Sequence, residues 1–168
     1  MDSNDQLQMM KKDFRLLERN VLILIAVPLP IFSFAYLYVT SGNLEFDLPE
    51  LPQVFNFLTL GLVTAILIFQ QVAFSNRVKS IRNNVKELNQ KVKGYGRATF
   101  LRYWQLFWVG LLSAFGLFFY ENQGFTMAYA ITLLFVSLAK PTPRRIISEL
   151  RLKNQEKDLV TEIQKRED

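Results

Sequence analysis

Every one of the 20 lysines and arginines lies in one of three stretches, residues 1–20, 75–102 and 140–168, and the four long apolar segments between them carry none. A soluble helix keeps a charged face along its whole length. A chain that removes all its cations from four separate segments is built to put those segments in lipid. A bilayer core of about 30 Å takes about 20 helical residues. Residues 21–40, 51–74 and 103–120 meet that requirement without a single charge. The fourth segment, 125–139, is shorter, and it spans when Asn122, Gly124 and Lys140 lie at the two interfaces and the bilayer thins slightly. The expected fold is an all-α bundle of four transmembrane helices with amphipathic helical extensions on one side.

Orientation follows from the cations. Lys and Arg resist translocation, so all three basic stretches belong on the cytoplasmic side, together with both ends of the chain. The opposite side carries only acids: Glu45, Asp47 and Glu50 in an outer loop at 41–52, and Glu121 in a tight turn. Eleven of the 15 acids share the inner face, leaving it near +9 and the outer face near −4. Anionic lipid headgroups at the cytoplasmic face account for that sign, and no nucleic acid is implied. A cleavable leader is disfavoured, because four acids precede the first apolar run and the run continues past the small residues Ser33 and Ala35.

Cysteine and histidine are both absent. Disulfides, zinc sites of the Cys/His type, axial histidine to haem, and thiol or imidazole catalysis are thereby excluded. No catalytic residue, cofactor or metal ligand set is expected. With one loop of about a dozen residues and one turn outside, no external receptor or catalytic domain is expected either.

The cytoplasmic stretches hold an amphipathic pattern. Val78, Ile81, Val85, Leu88 and Val92 recur at spacings of three, four, three and four, which predicts a striped helix over 76–93, about 27 Å long, ended by Gly94 and Gly96. Three partners suit the stripe: another helix of the chain, the membrane surface, or a second copy. The tail supplies the first. Thr142 is placed to cap a helix with Pro143 in its first turn, and Ile146, Ile147 and Leu150 follow, then Leu159, Val160 and Ile163. Val78, Ile81, Val85 and Leu88 are the candidate helix-packing interface, whether the partner is the chain itself, a homo-oligomer or another membrane protein.

Within the apolar segments the exceptions matter most. Gly61 with Ala65, and Gly110 with Ala114, are pairs of small residues four apart that let helix backbones approach closely. Pro28 and Pro30 predict a kink in the first span. Asn56, Thr59, Gln70 and Gln105 are the candidate intramembrane polar contacts. They serve either as interhelical hydrogen bonds or as a polar path for a small oligomeric transporter or channel. No ionisable group stands near the midplane, where ion-coupled carriers place one.

Arg97, Arg102 and Arg144 are the candidate lipid-headgroup contacts at the inner interface, where Tyr95, Tyr103, Trp104 and Trp108 form an aromatic belt. The three arginines also suit an enzyme acting on lipid phosphate, but no base or nucleophile accompanies them.

The run Lys93, Tyr95, Arg97, Ala98 and Arg102 entering the third span, the Lys140-Pro141 break and the tail pattern Leu150, Leu152 and Glu156 resemble a region of small uncharacterised four-span proteins of Bacteroidetes-type bacteria. The resemblance covers the C-terminal half best. It implies a bacterial inner (plasma) membrane location and a stand-alone four-helix unit, and it carries no activity. Where such proteins have acidic or polar groups at the start of the third span, this chain has Tyr103, Trp104 and Gln105. The sequence therefore reads as an accessory or scaffold protein of the membrane rather than an enzyme, assembling through its cytoplasmic helices.

Overall fold

The computed structural model describes residues 3–42, 51–153 and 155–162, so the acidic loop residues Glu45, Asp47 and Glu50 and the tail residue Ile163 lie outside the described part. Among the described residues the chain is all-helical: α1 (Ser3–Ala26), α2 (Pro28–Ser41), α3 (Gln53–Asn84), α4 (Leu88–Tyr120), α5 (Gln123–Ala139), α6 (Pro143–Leu150) and α7 (Gln155–Glu162). Three helical stretches are long and apolar enough to cross a membrane: Gln8–Ser41, Gln53–Asn84 and Leu88–Tyr120. A fourth is added if α5 and α6 count as one broken span.

The chain divides into two compact units. One comprises Met1–Leu22, Val72–Arg102 and Lys140–Asp168, and the other Ile23–Gln71 and Tyr103–Ala139. Among the described residues every lysine and arginine falls in the first, which we call the basic unit, and none in the second, the apolar unit.

The basic unit closes over its own core. Met10 and Phe14 of α1, Phe74 and Val78 of α3, Val92, Tyr95 and Ala98 of α4, and Ile146, Leu150, Leu152 and Val160 of the tail form one buried cluster, with Ile81, Leu88 and Ile147 against it. The stripe at 76–93 belongs to two helices, not one. α3 stops at Asn84 and α4 begins at Leu88, so Val78 and Ile81 meet Leu88 and Val92 across a turn at 85–87. The spacing of three and four is preserved because both helices bury the same kind of seam. Gly94 and Gly96 do not end a helix, since both lie inside α4. A Cβ on Gly94 would come within 3.2 Å of the Ile81 side chain, so the missing side chain is what lets α4 approach α3 here. The segment 1–20 is helical from Ser3, a pattern its charge hides, although Met10, Phe14, Leu17 and Val21 recur at spacings of four, three and four.

The tail helix begins as its sequence dictates. Thr142 is extended, its Oγ1 accepts from the Arg145 amide at 3.3 Å, and Pro143 takes the first turn, where no amide donor is missed. Arg151 closes the helix in the left-handed region. Glu156 of α7 pairs with Lys91 of α4 at 3.2 Å.

The apolar unit is inverted relative to a soluble fold. Phe57, Leu58, Ile68, Phe69, Leu134 and Met127, the last 70% exposed, face outward, while Gln70, Ser113 and Thr132 are buried. Two apolar clusters fill it. Phe32, Ala35, Ala114, Leu117, Phe125 and Tyr129 make one; Val63, Leu67, Leu106, Val109 and Ala128 make the other. The break between α1 and α2 is confined to Val27, whose amide still donates to the Ile23 carbonyl at 3.2 Å. Pro28 packs where Gly110 has no side chain: a Cβ there would lie 2.9 Å from Pro28 Cβ. The turn between α4 and α5 is short because Glu121 enters the left-handed region at φ 51° and Asn122 Oδ1 accepts from the Gly124 amide at 2.8 Å.

Candidate functional site

The residues expected to meet a partner are engaged inside the basic unit. Val78 is buried, Ile81, Val85 and Leu88 are half-buried, and Val78, Ile81 and Leu88 pack with Ile146, Leu150 and Val160 of the tail. Within the chain the stripe shares one apolar core with α1 and the tail, and Val85 lies outside that cluster.

The intramembrane polar residues do not line one path. Asn56 Oδ1 accepts from Asn122 Nδ2 at 3.2 Å, which ties the start of α3 to the α4–α5 turn. Gln70 lies fourteen residues further along α3, about 21 Å away. Between them on the same seam stand Val63 and Leu67, buried against Leu106, Val109 and Ala128. Thr59 and Gln105 are half-buried. A void of about 20 Å³ between Leu24, Pro28, Tyr103, Gly110, Tyr129 and Val136 has room for about one water. Two further polar groups hold the backbone: Thr132 Oγ1 donates to the Ala128 carbonyl at 2.8 Å and Tyr103 Oη to the Val136 carbonyl at 2.9 Å.

The three arginines have different surroundings. Arg102 is 4% exposed, and its guanidinium stands 4.8 Å from the centre of the Phe74 ring, within cation–π range. It is part of the interior of the basic unit. Arg97 and Arg144 are exposed, on α4 and α6. Arg97 and Arg102 are five residues apart on one helix, about 140° around its axis, so they point to different sides.

One concave feature stands out in the basic unit: a cleft of about 380 Å³ between α1 and α4. Its walls are mainly apolar, including Phe14, Leu16, Leu17, Phe100 and Leu101, with Ile146 contributed by α6. Asn20, Asn89, Asp13, Lys93 and Arg97 give it polar edges. Asp13 Oδ2 and Lys93 Nζ are 3.6 Å apart, both well exposed, so that pair is weak. A second, basic hollow on α1, lined by Lys11, Lys12, Arg15 and Arg19, shares Leu16 with the cleft. The cleft escapes sequence reading because its walls come from three segments far apart in the chain. Arg97 is the one member of the expected site residues that lines it.

Among the described residues no three acidic side chains gather as a metal site. Comparison with known protein families, with curated proteins and with solved structures finds no match.

Proposed function

We propose that the chain is a four-span integral membrane protein acting as an accessory or scaffold subunit, with its basic unit at the cytoplasmic surface. One observation carries the reading. The division into two units follows packing alone, yet it coincides with the division of charge, every described Lys and Arg lying in the unit that has an ordinary apolar core. The other unit buries Gln70, Ser113 and Thr132 while many of its large apolar side chains, Phe57, Phe69 and Leu134 among them, face outward, the arrangement lipid favours. The basic unit is then the part able to engage other molecules, and its partner-binding surface is not the Val78 stripe, which serves its own core.

Topology is testable directly because the chain has no cysteine. Single cysteines at Lys86, in the exposed turn between α3 and α4, and at Glu121, in the exposed turn before α5, give opposite expectations. An impermeant maleimide applied to intact cells labels position 121 and spares 86. Labelling of 86 alone refutes the orientation. Gentle extraction then tests the role: a stoichiometric companion protein supports the accessory reading. A lone oligomer that moves solute through reconstituted vesicles, and stops when Asn56 and Gln70 become leucine, overturns it in favour of transport. The packed interior around Val63 and Leu67 weighs against a path within one copy.

A further inference from the structure

We propose that the cleft of the basic unit is a binding site for a single anionic phospholipid, its phosphate held by Arg97 and one acyl chain laid along Leu16, Leu17, Phe100 and Leu101. The proposal rests on the membrane reading above. The volume, about 380 Å³, is in the range of small-ligand pockets, about 300–1,000 Å³. A docked helix about 10 Å across is too wide, since two turns of it exceed that space. The walls are mainly hydrocarbon, with the polar side chains at the edges, so the occupant's buried part is apolar. Leu16 and Leu101 are 39% and 42% exposed, an apolar surface left open at the cleft.

The charge of the edges selects the headgroup. Arg97 is exposed and has no ion pair or hydrogen bond among the described residues, leaving its planar donor fork for a phosphate. Lys93 is partly neutralised by Asp13. Lys12, Arg15 and Arg19 on the adjoining face of α1 add positive potential without lining the cleft. The location agrees as well. Asn20 and Leu101 line the cleft, and the apolar segments begin at Val21 and Tyr103, immediately or nearly so in the chain. A lipid in the inner leaflet therefore has its phosphate at the depth where these helices enter the bilayer.

The test is native mass spectrometry of the full chain in mild detergent, titrated with phosphatidylglycerol or with phosphatidylcholine of the same acyl length. One phosphatidylglycerol per chain is retained, with phosphatidylcholine about tenfold weaker. Arg97→Gln lowers retention of the anionic lipid about tenfold, Asp13→Asn raises it by removing a negative charge from the cleft's edge, and Arg77→Gln, on the exposed side of α3, leaves it unchanged. Gly96→Leu blocks both lipids, because the new side chain enters the cleft beside Leu17, 3.6 Å from the Cβ position. Several loosely held lipids insensitive to Arg97 and Gly96 overturn the site and leave a general electrostatic film. A protein crosslinked at position 101 that excludes lipid overturns it in favour of a protein partner. Alkaline carbonate extraction separates the two levels: a chain released from membranes sinks the membrane reading itself, whereas one that stays embedded without a retained lipid sinks only this proposal.

Discussion

Of the glycines in the apolar unit Gly116 has the least room for a side chain, and replacing it with alanine measures that packing. A Cβ at this position would lie 2.4 Å from Cε1 and Cζ of Phe125 and 2.7 Å from Cδ1. Non-bonded carbons settle about 3.5–4.0 Å apart, so the ring has to withdraw by about 1 Å or more. Phe125 is fully buried among Phe32, Ala35, Ala114, Leu117 and Tyr129, which leaves no space to withdraw into. Over-packing of this kind costs about 1–3 kcal/mol, and the short contact places it at the upper end. Alanine's better helix propensity returns about 1 kcal/mol, for a net loss of about 2 kcal/mol. Gly61 is the control, since nothing lies within 4 Å of its Cβ position, and Gly61→Ala is neutral or slightly stabilising. Reversible unfolding of purified protein in mixed micelles reads both. Shrinking the ring in the double variant Gly116→Ala with Phe125→Leu recovers about 1 kcal/mol relative to additivity. If Gly116→Ala is as stable as the parent, or if Gly61→Ala is the damaging change, the packing argument is wrong.

Two other substitutions probe separate parts of the fold. Tyr103→Phe removes the donor to the Val136 carbonyl and costs about 0.5–1.5 kcal/mol in the same assay, with no change in oligomeric mass. Ile146→Ala, at a residue 1% exposed in the core of the basic unit, costs about 2–5 kcal/mol and increases protease sensitivity at 85–87 and 151–153, while the apolar unit stays protected.

The alternation of basic and apolar segments was readable directly, because the cost of moving a charge into hydrocarbon is large enough to be written into composition. The Thr142 and Pro143 helix start was readable too, since capping is a local matter. The turn at 85–87 was not. A stripe of alternating threes and fours is the same for one straight helix and for two helices folded seam to seam, and Gly94 reads as an end signal when its purpose is close approach to Ile81. Small residues four apart were an uneven guide. Gly110 does admit Pro28, whereas Gly61 and Ala65 face outward, and Gly116 fits no such pair because Leu112 and Tyr120 flank it at that spacing. Of the expected lipid contacts, Arg102 is the one that composition misplaces, since only the tertiary fold puts Phe74 beneath it.

The core of the basic unit draws on segments separated by most of the chain: Met10 and Phe14 near one end, Ile146, Leu150 and Val160 near the other. During synthesis the α3–α4 hairpin has only a three-residue turn to close, so its Val78, Ile81 and Val92 contacts form early. Phe14 and Tyr95 have to wait for α6 before their cover is complete. Until then part of the basic unit's apolar core is still open, and the last tail helices act as the closing step of its folding. A ribosome stalled before residue 143 would leave that core without its α6 and α7 cover, an unfinished unit that is a substrate for chaperones rather than for partners.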